Sequence, residues 1–155
     1  ANLASTNVYY AERWNDDFGI SSSINSSISS DADTSAVHWQ VIRASRIVPY
    51  DATVTKFWVN LEWSGSNGDV AVSLWKGTSP DSSIQSSTVT TTIDLLGTIN
   101  FTYSGSGSKT QHQYITSFNA TSLSQGDYLY VTLKRTSGTD GSSYHVHSTV
   151  TFDYT

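Results

Sequence analysis

The chain contains neither cysteine nor methionine, so disulfides, thiolate metal sites, thiol redox chemistry and cysteine nucleophiles are excluded at the outset. Charge is scarce as well. Only 14% of residues are Asp, Glu, Lys or Arg, against about 25% in an ordinary soluble domain. The eight Lys and Arg residues are thinly spread in a chain of net charge -5, which argues against a face that neutralises nucleic-acid phosphates. No apolar run approaches the ~18 residues of a membrane span. The N-terminus lacks the basic-then-apolar order of a signal peptide. The expectation is a soluble protein with no nucleic-acid partner and no membrane insertion. The start at Ala1, without Met, is what a processed chain, a trimmed tail or a piece of a longer protein would give.

What is present is the chemistry of pleated surfaces. Ser and Thr make up about a third of the 155 residues, accompanied by five Trp, nine Tyr and five Phe. β-branched and aromatic residues favour strands, and Ser and Gly favour the turns between them. A helical period is found nowhere. The length suits a single domain that buries roughly two-thirds of its unfolded surface.

The clearest strand runs from Leu123 to Arg135. Gly126-Asp127 launches it, and from Tyr128 it alternates, with Leu129, Val131 and Leu133 expected inside and Tyr128, Tyr130, Thr132 and Lys134 outside. Residues 1–35, aromatic and then Ser-rich, read as an N-terminal arm or loop packing on the sandwich that residues 36–155 would form. Within the sandwich a strand is expected from Val37 to Ile42. A turn or edge follows at Ile47-Val48-Pro49-Tyr50-Asp51, since Pro49 cannot donate to a ladder.

The long strand Thr53 to Trp63 should place Phe57, Val59, Leu61 and Trp63 inward and Lys56, Trp58, Asn60 and Glu62 outward. Asn67-Gly68 predicts a hairpin pairing this strand with Val70 to Trp75, which would bring Trp58 and Trp75 together on one exposed face. Ile93 to Tyr103 should turn Leu95, Ile99, Phe101 and Tyr103 to one side, with a bulge at Gly97. Gln111 to Phe118 is mixed on both faces. The last strand, Tyr144 to Tyr154, sets Tyr144, Val146, Val150, Phe152 and Tyr154 opposite His145, His147, Thr149, Thr151 and Asp153. About seven to nine strands without helix predict an all-β, two-sheet antiparallel sandwich of jelly-roll type, with an immunoglobulin-like sandwich as the alternative.

Few constellations carry chemistry. His145 and His147 lie two apart on a strand and could share a metal, but no carboxylate follows at ligand spacing, and two solvent-facing histidines explain the pair. Asn15-Asp16-Asp17 and Asp31-Ala32-Asp33 offer oxygen ligands for calcium, or are turn carboxylates in water. Glu12 and Glu62 are the only glutamates, a poor start for a hydrolase that needs two carboxylates across a cleft. No catalytic residue, metal or cofactor is expected. Sugars present flat C–H faces that stack on aromatic rings while their hydroxyls seek polar partners. Trp58, Trp75, Asn60 and Glu62 are therefore the candidate glycan or partner contacts.

Leu123-Ser124-Gln125-Gly126-Asp127 running into its alternating strand, followed by Ser143 to Tyr154 with its aromatic end, resembles the sandwich domains of tailed-bacteriophage virion proteins. Ile47-Val48-Pro49-Tyr50-Asp51 ahead of a long strand and Gly68-Asp69-Val70-Ala71-Val72 are similar to them too, as is the aromatic, Ser-rich opening. The resemblance implies a non-enzymatic virion component: a tail-fibre or receptor-binding tip, or a capsid fibre or decoration protein. Its partners would be other virion proteins and a host cell-surface glycan. It would assemble as a homotrimer, covering Tyr9, Tyr10, Trp14 and Phe18 at the interface. The alternative is a carbohydrate-binding module of a secreted protein.

Overall fold

A computed structural model of the chain describes residues 9–11, 37–38, 45–65, 67–77, 88–89, 93–138 and 143–155. The strands, in chain order, are β1 (Tyr9–Ala11), β2 (Val37–His38), β3 (Arg46–Ile47), β4 (Ala52–Gly65), β5 (Gly68–Gly77), β6 (Thr88–Val89), β7 (Ile93–Tyr103), β8 (Gly107–Ile115), β9 (Ser122–Leu123), β10 (Tyr128–Gly138) and β11 (Ser143–Tyr154). They form two antiparallel sheets packed face to face, an all-β sandwich. One sheet has the order β1-β10-β5-β7, with β3 also on β10; the other has the order β11-β4-β8, with β9 also on β4. β2 and β6 pair separately. Every connection between consecutive long strands passes from one sheet to the other, except that from β5 to β7. The described strands show the sandwich but not the jelly-roll type, and most of the arm expected over residues 1–35 and the rest of the strand expected to Ile42 lie outside the described residues.

The core follows the period of two. From the β11-β4-β8 sheet come Phe57, Val59, Leu61, Trp63, Tyr144 and Val146; from the other come Val70, Val72, Leu74, Leu96, Ile99, Phe101, Tyr103, Leu129, Val131 and Leu133, all buried in one cluster. Trp63 stacks on Tyr103 across the sandwich, with ring centroids 4.7 Å apart, and lies 5.0 Å from the Tyr144 ring beside it. Val150 and Phe152 pack against the margin of the cluster. Tyr154, expected with them, is exposed and meets Tyr50 edge to face.

The segment that launches β10 is stitched to the step before β4. The Val48 N–H donates to the Asp127 carbonyl (2.7 Å) and the Gly126 N–H to the Val48 carbonyl (2.9 Å). The Asp127 carboxylate accepts from the Ser124 N–H (2.8 Å), and Asp51 Oδ1 accepts from the Gln125 N–H (2.8 Å). Gly126 takes a φ of 90°, in the left-handed region where only glycine is unstrained.

Three expectations need correction. First, Asn67-Gly68 does not make a hairpin: β4 and β5 lie in opposite sheets, and the turn arches across the core. Alternation reports that each strand has an inward face; two strands facing each other across a core alternate just as two neighbours do. Asn67 Oδ1 accepts from the Gly105 N–H, and a Cβ on Gly68 would stand 2.9 Å from the Ser137 carbonyl oxygen. Close backbone approach, not a primed turn, therefore requires this glycine.

Second, Tyr128, Tyr130 and Thr132 are buried, because β10 and β5 are interior strands of a sheet whose second face is also out of solvent. On that face Trp75 stacks on Tyr130 (6.3 Å, 6° between planes), and Tyr130 on Tyr128 (6.0 Å). Burial pushes the Tyr130 hydroxyl well above the usual phenol range. Third, β7 pairs Gly97 with Leu74 but Leu95 with Trp75, so the bulge expected at Gly97 leaves Leu96 as the extra residue. Leu96 is thereby sent into the core and Leu95 leaves it half-buried.

Candidate functional site

The face of β11-β4-β8 turned away from the core is where the outward residues gather. Alternation on β4 sends Lys56, Trp58, Asn60 and Glu62 there, and the register fixes their neighbours. Trp58 pairs with Thr149 on β11 and Tyr114 on β8, Asn60 with His147 and His112, and Glu62 with His145 and Thr110. The result is a set of three-residue rows across three strands, aromatic at one end and acidic at the other.

Trp58 and Tyr114 are the large exposed rings of this face, at 37% and 53% of their full accessibility. Their centroids are 4.6 Å apart with a tilt of 42°. The Lys56 ammonium sits 4.1 Å from the Trp58 ring centre and 4.0 Å from that of Tyr114. Cross-strand aromatic pairs contribute about 0.5–1.5 kcal/mol beyond area burial, and an exposed cation over a ring about 0.5–1 kcal/mol. The rings are thus held in place without being covered by the core. Beside them runs a groove of about 480 Å³ lined by Trp58, Val59, Asn60, His112, His147 and Thr149.

Of the glycan candidates, Trp58 and Asn60 border this groove, and Glu62 lies one outward position further along β4. Trp75 does not belong. It is 1% exposed, on the other sheet, and its indole N–H donates to Thr132 Oγ1 at 2.7 Å. Its expected place beside Trp58 depended on the hairpin that the fold replaces with an arch.

Tyr114, His112 and Thr149 join the site although none was a candidate glycan contact. The signal for the first two was the alternation His112-x-Tyr114, obscured because the opposite face of β8 is also polar. Gln111 Nε2 donates to the Thr102 carbonyl (3.2 Å), and Lys109 Nζ donates to the Ser104 carbonyl (3.3 Å) and rests 5.2 Å from the Tyr103 ring centre. Those polar side chains bridge to the edge of the other sheet, so only Ile115 marks the inward side by hydrophobicity.

His145 and His147 share the outer face, but among the described residues no group of three or more His, Asp or Glu is placed to hold a metal ion. Asp16, Asp17, Asp31 and Asp33 lie outside the described residues. Of the interface candidates, Tyr9 and Tyr10 belong to β1, which pairs with Lys134 and Leu133 at the edge of the larger sheet; Trp14 and Phe18 lie outside the described residues. Comparison with protein-family models, with curated proteins and with solved structures found no match to this chain.

Proposed function

We propose that the chain is a non-enzymatic, glycan-binding β-sandwich that recognises its ligand on the outer face of β11-β4-β8, and that it serves a tailed-bacteriophage virion in attachment to the host surface. The observation that carries the glycan reading is the exposed Trp58–Tyr114 pair beside a groove floored by Asn60. Flat apolar rings next to amide and imidazole donors are what a pyranose requires: C–H faces on the rings and hydroxyls on the polar groups. A rigid three-stranded platform presents them at little ordering cost.

The virion setting rests on the resemblance carried by residues 123–154. A carbohydrate-binding module of a secreted protein would use the same face, and a capsid decoration protein would share the fold. Retention on immobilised polysaccharides should be lost in Trp58→Ala and Tyr114→Ala while melting temperature changes little. Unchanged retention in both variants, or retention of neither parent nor variant on any glycan, contradicts the reading. Light scattering separates the settings: a trimer of the 16.9 kDa chain accords with a fibre tip, and a monomer with a module or with a decoration protein off its particle.

A further inference from the structure

Two imidazoles in the groove narrow the kind of glycan, an inference that rests on the glycan reading above. Asn60 lies between His147 on β11 and His112 on β8 in a single row, and all three border the groove with Thr149 and Trp58. Neighbouring strands are about 4.8 Å apart, so the two imidazoles flank the amide across a span of about 10 Å. Among the described residues of this lining none is a carboxylate, and two, His112 and His147, can carry positive charge. Among the described residues, the other charged or titratable groups facing the row are Lys56 and Tyr114 at its aromatic end, and at the other end Glu62, which is paired across the strands with His145. Asp153 faces outward only at the far end of β11, opposite Thr53. The groove thus has the Lys56 ammonium at one end and two imidazoles along it, on a chain of net charge -5.

We infer that the ligand is an acidic sugar, whose carboxylate lies between His112 and His147 over Asn60 while its ring rests on Trp58. A carboxylate in the lining would repel such a ligand, and the nearby Glu62 stands outside the described lining. Charge-assisted hydrogen bonds are roughly twice as strong as neutral ones, and a protonated imidazole donates from both ring nitrogens. Binding therefore strengthens as the pH falls.

The test is titration calorimetry of the full chain with oligogalacturonate, its methyl-esterified uncharged form, sialyllactose and lactose, at about pH 5.5 and about pH 8. The expected result is binding of a carboxylate-bearing sugar over its neutral counterpart, weakened about tenfold at the higher pH. The two acidic probes distinguish a uronate from a sialate. His112→Asn with His147→Asn, both at exposed positions, should remove that gain at low pH, and thermal melting checks that the fold is kept. Neutral sugars bound as well as acidic ones, with loss in Trp58→Ala and no pH dependence, would overturn the acidic ligand and leave the glycan face standing. Binding of none of the four probes overturns the acidic ligand as stated; the polysaccharide retention described above then judges the glycan face separately.

Discussion

Replacing Trp75 and Trp58 in turn by Phe separates two tryptophans whose surroundings the fold makes opposite. Trp75→Phe removes the indole N–H that donates to Thr132 Oγ1 in a site where both residues are at most 1% exposed. A buried hydroxyl stripped of its partner costs about 1–3 kcal/mol. The smaller ring also leaves a gap against Tyr130, which brings the total to about 2–4 kcal/mol. For a chain of this length each kcal/mol moves the melting temperature by about 2–4 °C, so the loss should be about 4–16 °C. Trp58→Phe changes a ring that is 37% exposed, keeps its contact with Tyr114 and Lys56, and should stay within about 0.5 kcal/mol of the parent. Thermal and urea melts followed by circular dichroism measure both. Equal destabilisation by the two, or a Trp75→Phe protein that melts within about 1 °C of the parent, would refute the assignment of faces.

Two further outcomes follow from the turn region and its carboxylate. Gly138 has a φ of 100°, and a Cβ there would stand 2.5 Å from the Asn67 carbonyl oxygen and 2.7 Å from Gly68 Cα. Gly138→Ala should therefore cost well over about 2 kcal/mol, whereas Gly105→Ala, at φ 119° with open space around it, should cost only the backbone strain of about 1 kcal/mol; urea midpoints of the two variants decide. Hydrogen bonds from Ser137 (2.6 Å) and Thr102 (2.8 Å) hold the Asp69 carboxyl below its usual range. A depressed folded value stabilises above the ordinary carboxylate range near about pH 4 and is lost as the pH falls through the folded value. Asp69→Asn should accordingly melt below the parent at neutral pH and converge with it in acid; a gap that stays constant from neutral pH into strong acid would contradict this.

The division between what alternation reveals and what it hides is visible in particular residues. Phe57, Val59, Leu61 and Trp63 were placed inward and Trp58, Asn60 and Glu62 outward by period alone, and β4 has that arrangement because one of its faces meets a core and the other meets water. The same reasoning failed for Trp75, Tyr128 and Tyr130. Period two tells which side a residue takes, but not whether that side is covered. Leu95 and Leu96 exchanged places at a bulge, which shifts parity by one residue and leaves only Gly97 as a local hint. The groove was half legible: Trp58 and Asn60 stand on a strongly patterned strand, whereas His112 and Tyr114 reach it only through the β4–β8 register, a long-range property.

Under the proposed function, ligand meets the outer face of β11-β4-β8 at Trp58. Indole N–H signals in a nitrogen–proton correlation spectrum report on it directly, recorded while an acidic and neutral oligosaccharide panel is added. Trp58 is exposed, whereas Trp63 and Trp75 are 2% and 1% accessible. The Trp58 signal, assigned by its loss in Trp58→Phe, should shift in a saturable way while those of Trp63 and Trp75 hold still. A ligand that shifts other indoles and leaves Trp58 unmoved would contradict it.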